Sequence, residues 1–376
     1  MNDVSKTGLN KRCAFHTSTN LSYHVTSNIS VDAMHDLLEG ILKYDLAWLL
    51  DYYINVRKYF SLLLLNERLN AFDFDDNDKK SKPPEITPVH LIQELLHMSA
   101  SETFSFLRAL PLLIEDKIPE EDEHWNLVIL LKFIVKIVFA KKFNKKVLPV
   151  FKLYISDYLE LVSQLFGANY LKLKHHFLLH YPRVMKKMGP LGNISSIRYE
   201  AKHFQGKMVA KVSRNRVNVC RTIGLKEAYT LNFRILNCSS SVDIIAGPMN
   251  RVLPRCDVEK DKDTCNNSGI LCNDITAVQW VEILGSKITH RSILVTPTED
   301  GPEFIQVENI YTNHDFKCLI IGNVLKCTFE YHLQSFKIIT PSTLTRCVIK
   351  FENLHNYFNT YKVKLNSKFY VVRKWF

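Results

Sequence analysis

Residues 32–53 read DAMHDLLEGILKYDLAWLLDYY, and this stretch decides the class of the fold. Its apolar side chains recur with the 3.6-residue period of an α-helix that buries one face. It contains no proline, so nothing in it prevents a continuous helix. The pattern predicts a long core helix that begins near Asp32, and the positions that predict it are Leu37, Leu38, Ile41, Leu42, Leu46, Leu49, Leu50 and Tyr53.

Helical periodicity continues through most of the chain beyond this helix. A charged loop at residues 73–84 separates it from residues 86–166, which follow the helical period throughout. Breaks are predicted at the acidic turn EDKIPEEDE (115–123) and near Asn144. The pattern therefore predicts a block of several packed helices.

Two more helices are predicted downstream. Residues 170–188 form the first, which Pro182 must kink or restart because proline has no amide proton to donate. The second runs from about residue 196 to residue 220. In the opposite direction, residues 1–29 are polar, and LSYHVTSNISV is the one stretch there that favours a strand.

The character of the sequence changes near the end of these helices. Short β-rich runs alternate with turns from Val278 onward, which is typical of a small all-β barrel or sandwich. The fold class is therefore α+β, with a mostly helical N-terminal region first. The predicted divisions are residues 1–84 with the first long helix, a helical block at 85–169, a basic helical segment at 170–238, a linker at 239–275 and a β-rich domain at 276–376.

Composition excludes several classes of protein. Twelve glycines and no Gly-rich phosphate-binding string argue against a nucleotide-binding fold. Nine cysteines, never spaced as CxxC, and a start without a secretory leader predict reduced thiols in an intracellular protein. The most apolar stretch, residues 125–143, is interrupted by Lys132 and Lys136, so we expect a core helix with a wetted stripe and no membrane span.

Residues 171–234 form the most basic region of the chain, here called the basic strip. It holds fourteen Lys and Arg residues and two acids, Glu200 and Glu227, a surplus that exceeds the net +11 of the whole protein. A positive field this localised indicates a polyanionic partner. A solvated helix surface is the alternative explanation, and the near absence of interspersed acids makes it the less favoured one.

Three further features could carry chemistry. Asp32 could present a carboxylate to a divalent cation with His35 one turn along, but an Asp at a helix start is first of all an N-cap. Glu200 is a single acid among Arg198, Lys202 and His203. His176 and His180 have the i,i+4 spacing of metal ligands, yet no Glu or Cys lies beside them, so packing or phosphate contact is favoured over zinc.

Two strings resemble proteins derived from DDE/D cut-and-paste DNA transposases, most closely the CACTA (EnSpm-like) group of animal genomes. They are VDAMHDLLEGILKYDL (31–46) and LKLKHHFLLHYPRVMKKMGPLGNISSIRYEAKHF (171–204). In that family a D-x-M-H string carries the second catalytic Asp and an R-[FY]-E string carries the final Glu of an RNase H-like core, with a helical insertion between them. The resemblance thus implies a partial RNase H-like core.

The resemblance also implies roles for individual residues. Asp32 becomes the second catalytic acid, His35 its partner and Glu200 the final acid, with Asp32 and Glu200 as ligands of Mg²⁺ or Mn²⁺. It implies double-stranded DNA as partner, a nuclear location and a homo-oligomer as one option. The residues then expected to contact DNA are Arg183, Lys186, Lys187, Arg198, Lys202, His203, Lys207, Lys211, Arg214 and Arg216.

The sequence departs from the family at the first catalytic Asp. Only Asp3 precedes Asp32, in an unpatterned start, so the catalytic set is incomplete and cleavage of DNA is not expected. We therefore expect a transposase-derived DNA-binding protein. Two alternatives stay open: an active Mg²⁺-dependent transposase or nuclease completed by other sequence, and a non-catalytic module whose basic strip binds an acidic protein.

Overall fold

The computed structural model describes most of the helical region and the strands of the C-terminal region. Residues 1–29, which include all but the last two residues of the expected strand LSYHVTSNISV (21–31), lie outside the described part, as does most of the expected linker. The described residues are 30–74, 78–213, 217–236, 245–248, 259, 261–264, 276–283, 286–299, 301–312, 318–339, 345–350, 358–365 and 368–372.

The first helix, α1, begins where the apolar period predicted it. It consists of π-helical turns at Met34–Ile41, an α-helix at Leu42–Asp51 and π-helical turns at Tyr52–Val56. The apolar positions that predicted it are all buried. Burying a Leu or Ile side chain is worth about 1.5–3 kcal/mol relative to leaving it exposed, so α1 anchors the core by packing rather than by intrinsic helix propensity.

Seven helices pack around α1 or follow it, and local signals set several of their starts. Ser61 and Asp122 accept hydrogen bonds from backbone amides at the starts of two of them, and Ser99 forms a capping box with Glu102 at a third. Pro182 lies in the first turn of the last, which confirms the predicted restart. The helices are α2 (Leu62–Ala71), α3 (Pro88–Ile92), α4 (Ala100–Ile114), α5 (Glu123–Val138), α6 (Leu148–Phe166), α7 (Leu173–Leu178) and α8 (Tyr181–Met188).

One contiguous apolar core joins α1 to these helices, and it corrects the expected wetted stripe on α5. Lys132 is buried, and its Nζ lies 3.5 Å from the carbonyl oxygen of Arg108 on α4. Only Lys136, one turn further on, is half-exposed. The amphipathic pattern failed at Lys132 because α4 covers that face of α5, and the polar side chain is accommodated beside Arg108.

The last two helices form a hairpin. Helix α9 spans Ile197–Ser213 and helix α10 spans Val219–Leu236. The single helix expected over residues 196–220 is therefore wrong at its C-terminal end. A second helix follows, which the sequence patterning missed because the apolar residues of α10 do not form a buried face.

Eleven strands follow in the described residues after the hairpin, and six of them close into an antiparallel ring in the order β5-β6-β7-β8-β11-β10. Of the two predicted β architectures, the structure thus shows a barrel. The strands are β1 (Ile245–Ala246), β2 (Thr276–Ala277), β3 (Trp280–Ile283), β4 (Ser286–Thr289), β5 (Ile293–Thr298), β6 (Gly301–Thr312), β7 (Cys318–Glu330), β8 (Ser335–Ile339), β9 (Thr345–Lys350), β10 (Phe358–Leu365) and β11 (Lys368–Val372).

Two long strands, β6 and β7, hold the barrel together. They pair with each other through Phe304–Leu325 to Thr312–Cys318, and their free edges add β2 and β9. Gly322 on β7 permits this close approach, since a Cβ there would lie 2.6 Å from the carbonyl oxygen of Gln306. A separate small sheet has the order β1-β3-β4.

One residue of the expected linker belongs to the barrel. Asp261 is buried, and its carboxylate accepts hydrogen bonds from Asn309 at 2.7 Å and Tyr311 at 2.6 Å and pairs with Arg346. The prediction of an irregular linker over residues 239–275 is thus wrong at Asp261, and it is also wrong at strand β1 (Ile245–Ala246), which pairs with β3. A buried acid inside a polar stretch is invisible to hydropathy, because its partners lie on strands β6 and β9.

The barrel packs against the helical core through the turn between β7 and β8. The indole nitrogen of Trp125 donates to the carbonyl oxygen of His332 at 3.0 Å, and His332 Nε2 lies 3.2 Å from the carbonyl oxygen of Ile118. Leu112 of α4 joins a cluster with barrel residues Leu333 and Val363. None of the described helices is long and apolar enough to cross a membrane.

The buried ammonium of Lys132 gives a testable pH dependence. Burial, together with the charge of Arg108, lowers the pKa of Lys132 from 10.5 to about 7. Between these values the unfolded chain binds a proton that the folded chain does not, so the free energy of unfolding should rise with pH by up to about 1.4 kcal/mol per unit.

Urea denaturation from pH 7 to 10 checks this expectation, with Lys132→Met as the test variant. The variant should lack the rise that the unmodified protein shows, whereas Lys136→Met, at a half-exposed position, should retain it. A rise of equal slope in Lys132→Met would assign the pH dependence to other groups.

Candidate functional site

Asp32 lies at the start of α1, and both of its carboxylate oxygens are engaged. Oδ1 accepts hydrogen bonds from the backbone amides of Met34 and Ser196, each at 3.1 Å. Oδ2 accepts the hydroxyl of Ser196 and contacts His35 Nδ1 at 2.5 Å. The contact with Met34 is the N-cap interaction of a helix start. The two contacts with Ser196 tie that helix to a residue far along the chain.

Glu200 reaches the same place because Ser196 immediately precedes α9. The amide of Glu200 donates to the carbonyl oxygen of Ser196 at 2.9 Å, which fixes the first turn of the helix. His35 Nε2 then lies 3.5 Å from Glu200 Oε1. One imidazole ring therefore bridges the Asp32 and Glu200 carboxylates, so the structure brings together the three residues predicted as catalytic.

The charges of this cluster favour a protonated imidazole. The hydrogen bond to Asp32 raises the pKa of His35, and the nearby carboxylates of Asp32, Glu39 and Glu200 add to the effect, although burial opposes it. Burial works against the charged form of Asp32, but the hydrogen bonds from Ser196, His35 and Met34 outweigh it and lower the pKa of that carboxyl. The favoured state is an imidazolium between two carboxylates.

A third acid, which sequence reasoning missed, lies beneath the cluster. Asp36 is buried, its Oδ2 accepts the amide of Asp32 at 3.2 Å, and the hydroxyl of Tyr181 is 3.4 Å away. Burial raises the pKa of Asp36. The signal for it was present in the D-x-M-H-D string, as an acid one turn after Asp32.

Lys174 holds the backbone of the same turns from the other side. Its Nζ donates to the carbonyl oxygen of His35 at 2.7 Å, and Gly40 leaves the space that it needs. A Cβ at position 40 would lie 2.3 Å from Lys174 Cδ and 2.9 Å from the carbonyl oxygen of His35. The side chain of Lys174, from α7, thus donates a hydrogen bond to a backbone carbonyl group in the π-helical turns of α1.

The donor set of Asp32 does not fit a divalent metal. A carboxylate offers about four lone-pair positions, and here two amides, one hydroxyl and one imidazole occupy them. In the described part of the chain, no group of three or more His, Cys, Asp or Glu side chains is arranged to hold a metal ion. As the cluster is built, Asp32 acts as a structural acceptor.

Among the residues expected to contact DNA, the exposed cations lie on two helices. Arg183, Lys186 and Lys187 are exposed on α8. On α9 the exposed basic side chains are Lys202, His203, Lys207 and Lys211. Arg214, Arg216 and the side chain of Arg198 lie outside the described residues.

Lys202 does not share a face with Lys211. Nine residues separate them, about two and a half helical turns, so they point to opposite sides of α9. Lys202 Nζ is bound to Glu227 of α10 at 2.6 Å. Lys207 and Lys211 are one turn apart and lie on the side of α9 that carries Glu200. The expected single surface is therefore carried on α9 by Lys207 and Lys211 with His203, and not by Lys202.

Three of the four histidines of the basic strip, those at positions 175, 176 and 180, lie in two different environments. His175 is buried, and its Nε2 lies 3.3 Å from Asp45, which also accepts the hydroxyl of Tyr158. His176 and His180 contact each other through their Nε2 atoms at 3.2 Å. The first is a core interaction between α1, α6 and α7, and the second faces solvent.

Comparisons with known proteins add no identification to this geometry. Neither a scan against protein-family models nor searches of curated proteins and of solved structures found a match to this chain.

The contacts of Asp32 predict a structural role that can be measured. We expect Asp32→Ala to lower the free energy of unfolding by about 1–3 kcal/mol, because it leaves the amides of Met34 and Ser196 without their acceptor. Glu200→Gln, at a side chain that is 55% exposed, should change it by less than about 0.5 kcal/mol. Urea denaturation near pH 6 measures the free energy of unfolding of both variants. Equal losses in the two variants would contradict a structural role for the contacts of Asp32 with Met34 and Ser196.

The same cluster predicts a shifted titration of His35. By NMR its pKa should exceed 6.5, and in Asp32→Asn it should fall back toward that value because the main hydrogen bond to a charged partner is weakened. Because the pKa of His35 is raised in the folded protein, the imidazolium contributes stability that is fully present below pH 6.5 and is lost as the pH rises through the raised pKa. The lowered pKa of Asp32 contributes stability above pH 3.8 that is lost on acidification. An unshifted His35 in the unmodified protein would contradict the bridge.

Proposed function

We propose that this chain is a DNA-binding protein related to DDE/D transposases, with double-stranded DNA as its partner and the nucleus as its location. The observation that supports this most is the exposed cationic surface of α8 and α9 beside the Asp32–His35–Glu200 cluster. Two distant strings that resemble the family meet at that cluster through His35. The proposal includes a partial RNase H-like core around it.

The chemistry of the surface favours contact with phosphates. Lys186, Lys187, Lys207 and Lys211 are exposed ammonium groups on flexible stems, which neutralise phosphate charge without reading base edges. Glu200 is the acid on the same side of α9, and its carboxylate faces His35. Binding of this kind is strong at low salt and weakly dependent on sequence.

The proposal does not include strand cleavage. Metal-dependent phosphoryl transfer needs carboxylate oxygens that are open to the ions, and the oxygens of Asp32 are occupied by protein donors. Releasing them would detach Ser196 from the start of α1. The arrangement supports a carboxylate that holds two helices together, with DNA bound on the adjacent cationic surface.

Salt-dependent binding to duplex DNA tests the proposal. Affinity for a fluorescent duplex should fall steeply between about 50 and 200 mM salt, and Lys207→Ala/Lys211→Ala should weaken it to a similar degree on unrelated sequences. The log–log slope should become shallower by about 0.9 for each phosphate that the variant no longer neutralises. The matched control is Lys145→Ala/Lys146→Ala, at two exposed lysines outside the basic strip. If the two variants weakened DNA binding equally, the basic strip would be explained as a solvated helix surface and not as a DNA-binding surface.

Cleavage assays test the expectation that this chain does not cut DNA strands. We expect no nicking or joining of DNA with Mg²⁺ or Mn²⁺, for the reason given by the donor set of Asp32. Activity that disappears in Glu200→Gln would show a working catalytic site and overturn this expectation. Activity that survives the substitution would come from a contaminant.

A further inference from the structure

Helix α10 presents an apolar stripe to solvent. None of its residues, all of which the structure describes, is buried. Leu225, Tyr229 and Leu236 have exposed fractions of 44%, 67% and 81%. Spacings of four and seven residues place the three side chains on one helical face. We call these three residues the α10 stripe.

The α10 stripe points away from α9. Ile223 and Glu227 line the groove between the two helices, and the α9 residues that line it are Lys202, His203, Gly206, Lys207 and Ala210. Leu225 is two residues from both Ile223 and Glu227, and two residues correspond to roughly half a turn. The apolar side chains therefore lie on the outer side of the hairpin, where a well-packed helix would carry polar residues.

The charges beside the stripe have one sign. Arg221 and Lys226 are exposed, and their helical positions flank the stripe on its two sides. The one acid of α10, Glu227, is on the side of α9 and is bound to Lys202 at 2.6 Å. A second copy of the chain would bring only further cations to this face, since the one acid of α10 lies on the side of α9, and it would therefore offer no charge complementarity.

We propose that the α10 stripe docks an acidic amphipathic helix of a partner protein. The apolar stripe of the partner would pack along Leu225, Tyr229 and Leu236, and its flanking Asp or Glu side chains would pair with Arg221 and Lys226. Tyr229 is the one aromatic residue of the stripe and its central anchor, since aromatic residues dominate the energetics of such contacts. This surface is separate from the cationic surface proposed for DNA.

Peptide binding tests the proposal directly. The probe is a fluorescent peptide of about three heptads, with leucine along one helical stripe and glutamate on either side of it. There are two control peptides. One has the same composition in scrambled order, and the other has lysine in place of glutamate. The full chain should bind the probe, and both control peptides should bind about tenfold more weakly or less.

Variants of the protein sharpen the test. Leu225→Gln/Tyr229→Gln keeps good helix formers at exposed positions and should lower affinity for the probe by about tenfold or more. Leu63→Gln removes a leucine of α2 that is 69% exposed and is the matched control, with no change expected. Arg221→Glu/Lys226→Glu should reverse the preference in favour of the lysine peptide.

Each remaining outcome overturns the proposal. Equal binding of the scrambled peptide, or full affinity of Leu225→Gln/Tyr229→Gln, would show that the stripe is not the docking site. A concentration-dependent dimer in sedimentation velocity that this variant abolishes would assign the stripe to a second copy. Loss of duplex affinity in the same variant would assign it to DNA, whereas failure of the DNA proposal leaves the peptide result unaffected.

Discussion

The carboxylate of Asp32 is the interaction on which the arrangement of the helical region depends. It caps α1 through Met34 and accepts the amide and hydroxyl of Ser196, so the start of one helix is tied to the start of another 164 residues away. Everything that α9 carries is positioned by this interaction: Glu200 lies one turn beyond Ser196, and Lys207 and Lys211 follow on the same side. A single half-buried acceptor thus helps to fix where the cations of α9 lie relative to the core.

The same carboxylate explains how a catalytic-looking constellation can be structural. The family resemblance assigned Asp32 and Glu200 to metal binding, and the chain does bring them to the two sides of one imidazole. A carboxylate cannot satisfy two amides, a hydroxyl and an imidazole and also offer lone pairs to a divalent ion. The closeness of two acids therefore does not by itself make a metal site, and in this structure protein donors occupy the oxygens of Asp32.

Periodicity predicted the elements well and their partners poorly. The buried face of α1, the restart at Pro182 and the β-rich end of the chain all follow from local patterns, because 3.6-residue and two-residue periods report burial directly. Lys132, Asp261 and Ser196 could not be found this way. Each is a polar residue whose role comes from a group distant in sequence: Arg108, Arg346 and Asp32. Helix α10 was missed for the opposite reason, since its apolar residues meet no core.

The outer face of α10 and the cationic side of α9 make different physical demands. Phosphates need mobile, hydrated ammonium groups, whose energetic contribution is screened by salt. An apolar stripe contributes by withdrawing its surface from water, which salt does not screen. Lys202 of α9 pairs with Glu227 of α10, so the one acid of α10 is engaged on the side of α9 and the α10 stripe lies on the opposite side of its helix. The two proposed partners, a polyanion on α9 and an acidic amphipathic helix on α10, should therefore bind with affinities that respond differently to ionic strength.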